Sequence, residues 1–229
     1  MSLVEKLLPI ERNYFLWLNE HHSPYWDNFM ELYSGKIVWL PLVIVVLIVY
    51  IYKIKWKEAL VLILCGALVG VLCDQISSSL IKPFFERYRP THHPDFKDLV
   101  SIVRGYRGGR LGFISSHAAN GFGIVTFTSL LFKYRPYTIF AIVWASITCY
   151  SRIYLGVHFI TDILGGIVLG VLAGFFCHFI YLSARHYILK VPKEELCVPV
   201  LSHNRARILM ATIFLTVVYI SVYSVFANG

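Results

Sequence analysis

In the stretch Ser151-Arg-Ile-Tyr-Leu-Gly-Val-His-Phe-Ile-Thr-Asp162, a histidine precedes an aspartate by four residues. On a helix that spacing stacks His158 and Asp162 on one face. There a carboxylate accepts a hydrogen bond from an imidazole N–H, fixes its tautomer and activates the ring as a base or nucleophile. Arg152, just upstream, carries a planar fork of donors that matches phosphate oxygens. Base, orienting acid and anion clamp thus fall within eleven positions. Alone, such a stretch could equally be a helix cap. However, an apolar run from Ile163 to Leu182 follows it, about the length a bilayer crossing needs, and charge at the mouth of such a run is costly unless used or paired.

Two other stretches carry matching chemistry. Lys82-Pro-Phe-Phe-Glu-Arg-Tyr-Arg89-Pro90 spaces two cations by seven residues. With Pro83 suited to a first helical position and Pro90 disfavouring helix at Arg89, the spacing predicts one two-turn helix with both cations on one face. In Phe113-Ile-Ser-Ser-His117, Ser115 or Ser116 caps a helix whose first N–H groups form an anion site, and His117 lies in its first turn. Lipid phosphates would satisfy the cation pair, and the cap by itself is commonplace. Combined, the three stretches are the inventory for phosphoryl transfer without a metal. One histidine attacks phosphorus, the other protonates the leaving oxygen, and the cations stabilise the equatorial oxygens.

The elements that must hold these residues are membrane helices. Of 229 residues, 57% are hydrophobic and 15% charged, which excludes a soluble domain and predicts an all-α, multi-pass bundle forming one domain. Apolar runs place six spans at about 37–54, 58–81, 116–132, 137–152, 158–182 and 208–226. Residues 1–34 read as an interfacial amphipathic segment, broken at Pro9, with Trp17, Tyr25, Trp26 and Tyr33 at headgroup depth and no cleaved signal peptide. Asp74, inside the second span, is either a helix-interface group or a partner of the site. Gly166, Gly170 and Gly174 recur every fourth residue on the face of His158 and Asp162, where they would let another helix approach closely.

A net charge of +8 fits an anionic substrate or anionic lipid better than nucleic acid in so apolar a chain. Cys65, Cys73, Cys149, Cys177 and Cys197 read as small hydrophobes with no disulfide framework and no metal spacing. His21 and His22 read as a solvated turn, and His92 and His93 as loop residues. Arg104, Arg107 and Arg110 among Gly105, Gly108 and Gly109 could grip a multiply charged headgroup or form a solvated loop. Exactly two crossings separate the loop at 82–116 from the turn at 151–158, so the motifs meet on one side of the membrane. The basic residues divide almost evenly between the sides. The positive-inside rule therefore places the site outside the cytoplasm only if the loop arginines serve substrate.

The motifs resemble those of the type 2 phosphatidic acid phosphatase superfamily, integral membrane lipid phosphatases related to bacterial acid phosphatases and vanadium haloperoxidases. The family signature is Lys-x6-Arg-Pro, Pro-Ser-Gly-His and Ser-Arg-x5-His-x3-Asp. The first and third match as Lys82, Arg89, Pro90 and Ser151, Arg152, His158, Asp162; in the second, Ile114 stands for proline and Ser116 for glycine. The resemblance implies His158 as the nucleophile forming a phosphohistidine, Asp162 as its orienting partner and His117 as general acid. It implies Lys82, Arg89, Ser115 and Arg152 as the phosphate cradle, joined here by Ser116, and leaves Ser151 without a role. It implies no metal or other cofactor. Such enzymes remove a terminal phosphate from phosphatidic acid, phosphatidylglycerol phosphate, polyprenyl diphosphate or lipid A, at the outer face of the plasma (inner) membrane. The competing reading is an anionic-lipid transporter or binding protein without hydrolysis, which needs neither two histidines nor an orienting aspartate.

Overall fold

A computed structural model describes residues 4–196 and 198–227. Among them the chain is helical, with one isolated antiparallel bridge between Tyr88 and Leu111 and no strand. The helices are α1 (Leu8–Asn19), α2 (Pro24–Ser34), α3 (Leu40–Ile51), α4 (Trp56–Gln75), α5 (Lys82–Phe85), α6 (Ser116–Phe132), α7 (Arg135–Tyr154), α8 (Ile160–Tyr187), α9 (Lys193–Leu196) and α10 (His203–Phe226). A π-helical segment, Ile76–Ile81, joins α4 to α5, so that Trp56–Phe85 forms one helical rod of 30 residues.

Local chemistry sets the helix ends. The Ser23 hydroxyl caps α2, accepting from the Trp26 N–H at 3.3 Å. Prolines stand in the first turns of α1, α2, α3 and α7, where a missing N–H leaves no bond unmade. Pro9 therefore starts α1 instead of breaking it. Lys133, in the left-handed conformation at φ 47°, ends α6, and α7 packs back against it.

The protein is a helical membrane protein. Trp56–Phe85, Ile160–Tyr187 and His203–Phe226 are long and apolar enough to cross a bilayer. Pro24–Ser34 with Ile37–Ile51 adds a fourth if that pair, bent by 64°, counts as one span. Six crossings are more than helix length and composition establish: α6 has only 17 residues, and α7 carries Arg135 and Arg152. The outward faces of α8 and α10 remain apolar, with Leu164, Val168, Leu172, Phe179, Phe214 and Leu215 exposed.

The spine of the bundle is the α6–α8 contact, and the small residues make it possible. A Cβ on Gly166, Gly170 or Gly174 would sit 2.5 Å from the Ser115 carbonyl oxygen, 2.3 Å from that of Ala119 or 2.7 Å from that of Gly123. The backbones therefore touch where any side chain would force them apart.

The N-terminal segment is less interfacial than its sequence suggests. Trp17 and Trp26 are exposed, but Tyr33 is fully buried and its hydroxyl donates to the Trp144 carbonyl at 3.0 Å. Helix α1 docks through Phe15, whose ring lies 5.6 Å from that of Phe96 and 5.3 Å from that of Phe159. His22 is not part of a solvated turn; it stacks on Tyr154 and bonds Asp27 at 2.8 Å. Cys65, Cys73, Cys149 and Cys177 are buried free thiols, and Cys197 lies outside the described residues.

Candidate active site

The three motifs converge at one end of the α6–α8 pair. Helix α7 ends at Tyr154, and Gly156, with φ +70°, turns the chain where a Cβ would strike Val100 Cγ1 at 2.5 Å. His158 follows in the short connection ahead of α8. The expected helical stacking of His158 on Asp162 is therefore replaced by a helix-entrance geometry. Asp162, in the first turn of α8, reaches back to accept from the Phe159 N–H at 3.0 Å and pairs with His158 Nδ1 at 3.3 Å, both through Oδ2. Both side chains are buried. With Nδ1 engaged by the carboxylate, Nε2 is the nitrogen left for a substrate.

Behind the pair stands a residue that the motif reading passed over. Arg87 donates from Nη1 to Asp162 Oδ1 at 2.9 Å and from Nη2 to Glu11 Oε1 at 2.5 Å. Gly112 lies against the same carboxylate; a Cβ there would be 2.9 Å from Asp162 Oδ2 and 3.2 Å from Arg89 Cγ.

The cations gather around His158, which feels the charges of Arg89, Arg152 and Lys82. The predicted two-turn helix from Lys82 to Arg89 does not form. Helix α5 stops after one turn, at Glu86 in the left-handed conformation (φ 48°), and Arg89 lies in extended backbone held by the Tyr88–Leu111 bridge. The extended route pairs the Arg89 N–H with the Arg110 carbonyl at 3.0 Å, while Arg89 Nε donates to the Leu111 carbonyl at 3.0 Å. Arg152, buried at the end of α7, donates to the hydroxyls of Ser34 and Tyr106, the latter at 3.2 Å. Burial pushes the Tyr106 phenol up, but Arg152, Arg89 and Lys36 outweigh it and hold the group below its ordinary value.

The second motif supplies the remaining wall. Ser115 is the N-cap of α6, its hydroxyl accepting from the Ala118 N–H at 3.4 Å, and its own N–H donates to the Asp162 carbonyl at 2.9 Å. Ser116 takes a different post from Ser115: its hydroxyl accepts from Lys82 Nζ at 2.6 Å and meets Ser77 Oγ at 2.7 Å. His117, one residue on, lies within electrostatic reach of Arg152, His158, Lys36 and Arg89. Ser151 bonds its own helix through the Thr148 carbonyl at 2.7 Å, which accounts for its presence without chemistry.

The loop arginines are engaged by protein. Arg104 bonds Glu31 at 2.9 Å, Arg107 the Thr91 carbonyl at 2.9 Å, and Arg110 the Tyr88 hydroxyl at 2.5 Å. His92 sits in a short turn, and His93 is buried, 3.4 Å from Glu5. Below the cations a cavity of about 560 Å³ runs between helices, with Lys36, Asp74, Ser116 and His117 on its wall and Tyr50 and Phe127 farther along. Glu11, Ser34 and Tyr106 were not legible as site residues, because each meets the motifs only through the tertiary fold; Arg87 stands inside the first motif, but its bond to Asp162 forms only in the fold.

The chain is similar to known proteins along most of its length. It is 47% identical to the lipid A 4'-phosphatase of Porphyromonas gingivalis over 184 residues, covering 80% of this chain and 77% of the relative. With the phosphatidylglycerophosphatase B of Bacillus subtilis it shares 31% identity over 171 residues, 69% of this chain and 73% of that one. The crystal structure of LpxE from Aquifex aeolicus has the same fold at TM-score 0.55 and 24% identity, covering 73% of this chain and 94% of the other. Residues 58–186 match the family model of the PAP2 superfamily, and the chain belongs to that superfamily.

Proposed function

We infer that this protein is a membrane phosphatase that hydrolyses a terminal phosphate from a lipid, with His158 as the nucleophile. The observation that carries this reading is the His158–Asp162 pair, set among Lys82, Arg89 and Arg152 at the head of a cavity between membrane helices. A soluble phosphate ester needs the cations but has no use for the cavity.

The steps follow from the geometry. Asp162 holds the proton on His158 Nδ1, so the Nε2 lone pair attacks phosphorus. As the N–P bond forms and the lipid O–P bond breaks, His117 gives its proton to the departing lipid oxygen. Lys82, Arg89 and Arg152 neutralise charge growing on the phosphoryl oxygens. His117, now neutral, takes a proton from water; the resulting hydroxide attacks the phosphohistidine, releases inorganic phosphate and restores both rings. Ser34 and Tyr106, which hold the Arg152 fork, are hydroxyls that phosphate oxygens can replace. Ser115 shapes the loop and Ser116 aims Lys82.

We propose a phosphorylated glycolipid of the lipid A type as substrate, supported by the 47% identity to a lipid A 4'-phosphatase. Phosphatidylglycerol phosphate is second, supported by the relative at 31%. Six crossings, completed by α3, α6 and α7, and a site at the outer face of the inner membrane complete the proposal. The test is phosphate release by purified protein in detergent from lipid A, phosphatidylglycerol phosphate, phosphatidic acid, polyprenyl diphosphate and a soluble phosphomonoester. Lipid A should turn over fastest, and His158→Ala should release nothing. Equal turnover of the soluble ester, or activity surviving in His158→Ala, overturns the reading.

A further inference from the structure

The catalytic pair is backed by a buried chain of charges that ends in the N-terminal helix. Arg87 is 1% exposed, and its guanidinium lies over the Phe159 ring at 4.4 Å. Its Nη1 serves Asp162 Oδ1 at 2.9 Å and Thr161 Oγ1 at 2.6 Å, while its Nη2 serves Glu11 Oε1 at 2.5 Å. Glu11, 5% exposed, also accepts from the Thr161 N–H at 2.8 Å and from the Thr161 hydroxyl at 2.8 Å. Glu5 lies farther out, 3.8 Å from Arg87 Nε and 3.4 Å from His93 Nε2.

A purely structural account has Glu11 docking α1, yet burying charge is an expensive way to dock a helix that Phe15 already anchors. The charge count suggests more. Arg87 alone against Asp162 would cancel the carboxylate that His158 depends on when its ring turns cationic as the phosphohistidine. Glu11, with Glu5 at the outer edge of the guanidinium, gives the cluster an excess of carboxylates over Arg87 and so a net negative charge behind the imidazole. Resting on the reading of His158 as nucleophile, we propose that Glu11 is a positioning residue. Through Arg87 it locks the Asp162 carboxylate and preserves the negative charge that supports His158.

The test uses full-length protein in detergent with a lipid phosphate that the wild type turns over and His158→Ala does not. That control decides the parent reading first; turnover by His158→Ala would remove it and this proposal together. Glu11→Gln keeps the shape and one of the two acceptor oxygens, and removes one negative charge from the cluster. Its kcat should fall about tenfold, within the range by which neighbours in one salt-bridge network couple, with KM unchanged. The charged and titratable groups facing His158 are Asp162, Arg89, Arg152, Lys82 and His117. With one negative charge removed from behind this set, the imidazolium is disfavoured and the acid limb of kcat/KM should move to lower pH.

The double variant Glu11→Gln/Arg87→Gln restores the wild-type net charge and should return the acid limb of kcat/KM towards its wild-type pH. If Glu11→Gln does not fold, Glu11→Asp, which keeps the charge, and the double variant, which leaves no cation unpaired, should both keep the acid limb of kcat/KM at its wild-type pH, and a limb that moves in either overturns the charge role. A Glu11→Gln enzyme within twofold of wild type, with its acid limb unmoved, would show Glu11 to be a docking group only.

Discussion

Replacing Asp162 by asparagine should harm the enzyme more than replacing it by alanine. The carboxylate faces two donors through Oδ2, the Phe159 N–H at 3.0 Å and His158 Nδ1 at 3.3 Å, and a cation through Oδ1, Arg87 Nη1 at 2.9 Å. An amide has one acceptor and one donor to place. Turning its NH2 towards Arg87 sets a donor against a buried guanidinium, so the amide oxygen takes that side. The NH2 then faces His158 and obliges Nδ1 to accept. The imidazole proton moves to Nε2, the attacking nitrogen, and its lone pair is lost. The same exchange in serine hydrolase triads costs about 10⁴ in kcat, equivalent to roughly 5.5 kcal/mol of barrier. Asp162→Ala removes the carboxylate without setting a donor against His158, which keeps its bond to the Gly112 backbone, and Glu11 still holds Arg87; its loss should be nearer 10², the lower range for a positioned proton-handling group. Phosphate release under single-turnover conditions, with thermal unfolding in detergent as the control for folding, measures both. If Asp162→Asn keeps more than a tenth of wild-type activity, or outpaces Asp162→Ala, Asp162 does not set the tautomer.

Other substitutions test the scaffold and the cradle. Gly170→Ala places a Cβ 2.3 Å from the Ala119 carbonyl oxygen, so α6 and α8 must separate; it should destabilise by about 2 kcal/mol, as overpacking does, read as a lowered unfolding temperature in detergent. Gly112→Ala presses on Asp162 Oδ2 from 2.9 Å and should lower kcat about a hundredfold, the scale of a small misplacement at a reacting centre, with little change in melting. Tyr106, held below the ordinary tyrosine value by Arg152, Arg89 and Lys36, becomes a phenolate at lower pH than a free tyrosine. Since the phenolate competes with phosphate for Arg152, KM should climb with rising pH in the wild type and stay flat in Tyr106→Phe; identical profiles would clear Tyr106 of any part in binding.

What the sequence disclosed and what it concealed have different physical origins. His158 with Asp162, Lys82, Arg89, His117 and Arg152 were legible because each belongs to a short pattern whose residue types suit phosphate chemistry. The glycine stripe of α8 was legible because close helix approach demands small residues at a fixed period. Local conformation was harder to read. Lys82 and Arg89 do share a site, yet not through a common helical face, since the extended chain after Glu86 is stabilised by Leu111, 22 residues past Arg89. Glu11 and Arg87 are 76 residues apart and reveal their partnership only when α1 docks. Helix length and composition establish fewer crossings than the sequence reading expects, because α6 and α7 differ only weakly from buried helices of a soluble protein.

The two departures from the family pattern are accommodated in the surrounding structure. Ile114, where the family signature has proline, is 3% exposed, and its Cγ2 occupies the space over Gly165, where a Cβ would be only 2.5 Å away. The glycine on α8 thus receives the branched side chain, and the Ser115 N–H beyond it still reaches the Asp162 carbonyl at 2.9 Å. Ser116, in place of glycine, brings a hydroxyl to a wall beside a lysine ammonium. That oxygen would burden the site if left idle; instead it accepts from Lys82 at 2.6 Å and joins Ser77, at the π-helical widening of the α4 rod. The wider turn is what allows Ser77 and Ser78 to lie against Ser116 while Lys82 begins α5 above them. Glycine at 116 would give the backbone more freedom but leave Lys82 to find its own direction. Serine exchanges that freedom for a fixed ammonium, which favours a substrate whose phosphate arrives in one orientation, as it must when a lipid body already lies in the cavity below.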